Sequence, residues 1–118
     1  MIVPGTDVRL VLTTAGSGDE AEHIAHSLVD EGLAACVNII PGLTSIYRWK
    51  GEVEAAPEIL LLIKTTIHNL APLEEAIRRL HSYEVPEFLV LRPESVSQPY
   101  LNWLCKSTTP PTDMQNEK

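Results

Sequence analysis

Glu58-Ile59-Leu60-Leu61-Leu62-Ile63-Lys64-Thr65-Thr66 is the stretch that decides the fold. The run Ile59 to Ile63 is too short for a self-standing helix and puts apolar groups on both sides of an extended chain. Val8-Arg9-Leu10-Val11-Leu12-Thr13-Thr14 has the same character, with central residues apolar on both faces. Both segments read as central strands of one sheet.

Working outward from them, Ala15-Gly16-Ser17-Gly18 breaks the first strand, and Ser17 with Glu20 forms a capping box that would satisfy two orphan amides. Ala21, Ile24, Ala25, Leu28 and Val29 recur at helical spacing, and Gly32 supplies a helix stop. An extended segment from Leu33 is interrupted at Pro41-Gly42 and resumes through Trp49. Lys50-Gly51 is a turn signal, so this segment and the one reaching Thr66 form a long hairpin, with a bulge or bend at Pro41-Gly42 and a break in the ladder at Pro57. Asn69 is a candidate cap for a second helix whose buried stripe is Leu70, Leu73, Ala76, Ile77 and Leu80. Pro86 ends that region, residues 87–91 read as a strand, and residues 97–106 as a short last helix.

The order β-α-β-β-α-β plus a terminal helix defines an α+β, ferredoxin-like antiparallel sheet with a long central hairpin and an added C-terminal helix. Right-handed crossovers place both main helices on one face. The other face carries apolar side chains that need cover from the hairpin, the last helix or further subunits, so a homo-oligomer is expected. Residues 1–106 are expected to form a single domain, and 107–118, polar and proline-bearing, a disordered tail.

The chain has 118 residues, 16 of them acidic and 9 basic, for a formal charge of −7. That balance disfavours phosphate backbones, so no nucleic-acid partner is expected. The RNA-binding fold with the same element order carries aromatic residues on its central strands, where this sequence has Leu10, Leu12, Leu61 and Ile63. No apolar run is long enough to cross a bilayer, no secretory signal is read at the amino terminus, and Cys36 and Cys105 lack disulfide-framework spacing, so the expected address is cytoplasmic. Nucleophile-elbow, dinucleotide, P-loop and zinc-protease motifs are missing from the sequence. Nothing nominates a nucleophile with its base, so no enzyme and no obligatory cofactor are expected.

Four separated runs carry a resemblance. Leu33-Ala34-Ala35-Cys36-Val37-Asn38, Tyr47-Arg48-Trp49-Lys50-Gly51-Glu52, Lys64-Thr65-Thr66 and His81-Ser82-Tyr83-Glu84-Val85-Pro86-Glu87 together resemble the divalent-cation tolerance (CutA) family over about residues 7 to 106. The resemblance implies a ferredoxin-like subunit in a tight homotrimer similar to that of PII signalling proteins, with a role in tolerance of divalent metals. It also implies a copper site in bacterial members, made by a Cys at the end of the first strand and two adjacent His at the end of the second helix. At those positions this sequence has Thr13, Leu80 and His81, with Ser82 where a proline usually follows.

His81 is therefore a candidate ligand for Cu²⁺ or another divalent cation, or a side chain capping a helix end. Cys36 is either a packed small hydrophobe or a thiol lining a cleft between subunits. Tyr47, Trp49, Lys64, Tyr83 and Glu84 are the residues the resemblance places near those clefts. Rings, ammonium and carboxylate there could recognise a small anionic or zwitterionic metabolite, or Tyr47 and Trp49 could lock the hairpin onto a neighbour. His23 and His26 share a solvated helix face, and His68 sits alone in a loop. Three functions remain: a trimeric divalent-cation tolerance protein binding metal weakly, a PII-like trimer sensing a small metabolite, and a structural trimer without a strong ligand.

Overall fold

The computed structural model describes residues 1–109. Elements run β1 (Ile2–Pro4), β2 (Val8–Ala15), α1 (Gly18–Asp30), β3 (Cys36–Trp49), β4 (Glu52–Thr66), a 3₁₀ turn (Ile67–Asn69), α2 (Leu70–Leu80), β5 (Leu89–Leu91), β6 (Ser95–Ser97) and α3 (Gln98–Lys106). Four strands form one antiparallel sheet in the order β3-β4-β2-β5, the ferredoxin-like arrangement. β1 and β6 add a two-stranded antiparallel ribbon, which the sequence reading did not anticipate because neither segment shows a run of alternating side chains.

Register divides the sheet's side chains into two sets. Val11, Leu61 and Ile63 point to the helix side and pack with Ile24 and Leu28 of α1 and Leu73 and Ile77 of α2. Leu10, Leu12, Leu60 and Leu62 point the other way, and on the edge strand Leu89 and Leu91, paired with Leu12 and Leu10, extend the same surface. A second small cluster of Val8, Ala35 and Leu104, with Val96 and Leu101 against it, covers only the Val8 end of this surface through α3. Beyond that end the second face is open within one chain.

The hairpin departs from simple alternation at one place. Ile40 pairs with Leu60 but Leu43 pairs with Glu58, so β3 gains one residue at Pro41-Gly42, where Gly42 adopts a φ of 86° that a side-chain-bearing residue rarely takes. The bulge reverses which parity faces which side. Ser45, Tyr47 and Trp49 thereby join Ala56, Glu54 and Glu52 on the open face, instead of the opposite one. Pro57, read from sequence as a ladder break, stays inside β4. It lies beyond the β2 pairing that begins at Ile59, where β4 has β3 alone as neighbour, and an edge tolerates a residue without an N–H.

Two cap expectations are corrected. The Ser17 hydroxyl accepts from the Glu20 N–H at 3.2 Å, but the Glu20 carboxylate does not complete a capping box; it accepts from the Ser82 N–H at 2.7 Å instead. Asn69 gives α2 no side-chain cap, because its amide donates to the Thr66 hydroxyl at 3.0 Å across the 3₁₀ turn. Residues 107–109, expected as part of the tail, are instead held by the domain: the Ser107 N–H donates to the Trp103 and Leu104 carbonyls, Thr108 is buried, and the Thr109 N–H donates to the Gly32 carbonyl at 2.8 Å. The remainder of that expectation, residues 110–118, lies outside the described residues.

Candidate functional site

Past the sheet proper, the hairpin and the loop after α2 enclose a cleft of about 600 Å³. β3 supplies Ser45, Ile46, Tyr47 and Trp49, and β4 supplies Glu54 and Glu58. Thr14 at the end of β2 forms the floor side, and Tyr83, Glu84, Val85 and Glu87 close the far wall. The rings of Tyr47 and Trp49 reach this cleft because the bulge turned their parity.

The loop is held by its first residues. His81 is buried at the end of α2, where its N–H donates to the Ile77 carbonyl and its Nε2 lies 2.6 Å from the Thr14 carbonyl oxygen. Its Nδ1 accepts from the Tyr83 N–H at 3.0 Å, so the neutral ring with hydrogen on Nε2 satisfies both contacts. Glu20 stands 3.6 Å from Nδ1 and fixes the Ser82 amide. Burial alone would push the Glu20 carboxyl up; the Ser82 hydrogen bonds, with the neighbouring His81 ring and the Gly16 amide, outweigh it and hold the group below its ordinary range.

Tyr83 follows, its hydroxyl donating to Glu58 at 2.6 Å across the cleft. Burial and the adjoining Glu58 carboxylate push the Tyr83 phenol well above the ordinary tyrosine range, so it stays a donor. Gly16 leaves the room this needs, since a Cβ there would come 3.1 Å from the Tyr83 hydroxyl. Burial and the Glu58 charge also raise Glu87.

The structure thus brings together Tyr47, Trp49, Tyr83 and Glu84 of the residues singled out from sequence. Cys36 and Lys64 are elsewhere: they face each other across β3 and β4 on the open sheet face, ten residues along β4 from Glu54. At strand rise that separation is about 33 Å. Within one chain, the ammonium expected beside the rings is replaced by the carboxylates Glu54, Glu58 and Glu87, which the sequence reading left out. The alternation Glu52-Val53-Glu54 was the available signal. It placed two acids on one face, but which face depended on the register.

His81 does not stand free to bind a metal. An ion would have to displace either the Thr14 carbonyl or the Tyr83 amide to reach the ring, and the nearby β2 residue Thr13 has its hydroxyl buried without a partner. Among the described residues no three His, Cys, Asp or Glu side chains cluster closely enough to hold a metal ion. His23 and His26 are exposed on α1.

Comparison with known proteins agrees with this architecture. The family model described as CutA1 divalent ion tolerance protein matches residues 9–107. The divalent-cation tolerance protein CutA of Thermus thermophilus is 52% identical over 100 residues, covering 85% of this chain and 97% of its own length. Protein CutA of Mus musculus is 42% identical over 106 residues, which are 90% of this chain but 59% of that longer protein. The solved structure of CutA from Synechococcus elongatus matches with a TM-score of 0.88 at 38% identity, covering 92% of this chain and 96% of that one.

Proposed function

The chain belongs to the CutA1 divalent ion tolerance family, and from that premise we propose that it acts in tolerance of divalent metal ions as a homotrimer, by weak binding rather than catalysis. The observation that carries the assembly is the open sheet face. Leu89 and Leu91 are 52% and 44% exposed, beside half-buried Leu10, Leu12, Leu60 and Leu62, a contiguous apolar surface of the kind that marks a subunit contact. A second copy against it would dry these side chains; three copies are the number the resemblance implies.

Copper binding through His81 alone would be weak, since ligand number and type set the affinity. The cytoplasm suits the two free thiols, Cys36 and Cys105. No helix among the described residues is long and apolar enough to cross a membrane. A second reading, favoured by the cleft, is a PII-like trimer that senses a small molecule.

Sedimentation equilibrium tests the assembly, with trimer mass expected at micromolar concentration and monomer mass overturning it. Titration with Cu²⁺ of the wild type and His81→Ala tests the metal. A weaker isotherm for the variant supports ligation, and identical isotherms remove His81 from it.

A further inference from the structure

His23 and His26, which neither reading above employs, share the outer face of α1. Both are exposed, and a spacing of three positions makes them neighbours on one helix surface, with Cβ atoms about 5–6 Å apart. At about 100° per residue they stand opposite the stripe of Ala21, Ile24, Ala25 and Leu28 that α1 buries in the core. Asp19, Glu22 and Asp30 are exposed beside them, each four positions from one of the imidazoles, and α1 holds no lysine or arginine. Neither histidine takes part in an ion pair among the described residues.

That face does not depend on the assembly. α1 covers the helix side of the sheet, and the apolar side that further copies would cover is the opposite one. The helix is also firmly seated: Ile24 and Leu28 are fully buried, and the Ser17 hydroxyl fixes its first turn by accepting from the Glu20 N–H. Two imidazoles about one turn apart on a seated helix are spaced before any ion arrives, so binding orders only their side-chain torsions. Imidazole suits Cu²⁺, Ni²⁺ and Zn²⁺, of which Cu²⁺ binds most tightly, whereas Mg²⁺ and Ca²⁺ seek oxygens. The flanking carboxylates raise the local concentration of cations. Among the described residues no third side chain stands close enough to close a cage, so water keeps the remaining coordination positions and the site is weak and exchangeable.

We propose that His23 and His26 chelate a divalent transition-metal ion, Cu²⁺ foremost, in an open two-imidazole site on the outside of the molecule. The site deepens the metal-tolerance reading and rests on it for its biological purpose alone. It names where an ion binds while His81 is engaged with the Thr14 carbonyl and the Tyr83 amide. Each subunit carries its own site, and no particular oligomeric state is required.

The test is calorimetric titration of the full chain with copper(II) chloride and with magnesium chloride. Cys105→Ser is introduced throughout, because that exposed thiol would compete for copper. His23→Ala, His26→Ala and the double variant are compared with the parent, with His81 present and replaced by Ala. Each single substitution is expected to weaken Cu²⁺ about tenfold or more and the double to add little, since a chelate fails when either arm is lost, and Mg²⁺ to give no heat. Electron paramagnetic resonance should show coupling to a pair of nitrogens in the parent and to a single one in either variant. Melting temperatures without metal should not change, both positions being exposed. Independent single-histidine sites, seen as stoichiometry halved by each substitution at unaltered affinity, overturn the proposal. So do Cu²⁺ isotherms indifferent to both variants, or binding lost only with His81→Ala. Growth of a copper-sensitive bacterial host separates the readings. Equal growth with the wild type and with an empty vector removes the tolerance role and leaves a confirmed chelate standing, whereas protection by a chain whose isotherms ignore His23 and His26 keeps the role and removes the site.

Discussion

The two faces of one sheet are built from the same side chains and have different fates. Leu61 and Ile63 are fully buried under α1 and α2, while Leu60 and Leu62, one residue away on the same strand, are only half-covered. Composition does not distinguish them. The difference is topological, because both right-handed crossovers deliver their helices to one side and the third helix reaches only the Val8 end of the other. A sheet apolar on both sides but roofed on one carries a demand for a partner in its own sequence.

The sharpest way to break that comparison is to truncate each face in turn. Leu61→Ala is expected to cost about 2–5 kcal/mol by urea denaturation, independent of protein concentration, because it leaves a cavity inside one chain. Under the proposed assembly Leu62→Ala should cost less, and its melting temperature should fall further on dilution, since another copy would supply its cover. A concentration-independent loss for Leu62→Ala would mean that its surroundings come from its own chain.

A middle-sized effect is expected where the loop after α2 passes from the helix side to the open side. His81→Ala removes the contacts to the Thr14 carbonyl and the Tyr83 amide together, and should cost about 1–3 kcal/mol in the same assay. It should also loosen the wall of the cleft, visible as faster amide hydrogen exchange at Tyr83 and Glu84. Unchanged stability would show that the loop is held without the histidine.

The smallest effects are in pH dependence, where the two sides differ in sign. Glu20, beside the helix N-terminus, is held below its ordinary value of 4.5, so it contributes stability that is present above that pH and is lost as pH falls through the lower folded value. Glu20→Gln should therefore flatten the acid limb of a thermal melting series. Glu87, in the cleft, is raised from 4.5 by burial and by Glu58, so its ionisation opposes folding as pH climbs past that point. Glu87→Gln should raise the melting temperature slightly at pH 7 and have no effect at pH 3. Melting curves of opposite response would overturn the assignment of the two environments.

The residues of this sequence determined by themselves the strands at Val8–Thr14 and Glu58–Thr66, the helices carrying Ile24 and Ile77, and the uncovered face, because periodicity of two or 3.6 is a local property of the chain. They also marked Pro41-Gly42 as an irregularity. Only the tertiary structure decided what that irregularity does: it counts one extra residue against β4, and that single count moves Tyr47 and Trp49 to the side where Glu54 and Glu58 stand, while Lys64, on the same face, stays ten residues away along β4. The Glu20 carboxylate, read as half of a capping box, went to Ser82 for the same reason, since the competing donor lies 62 residues away in the chain. Register and long-range hydrogen bonds depend on which segments meet in space, and no local pattern encodes that meeting.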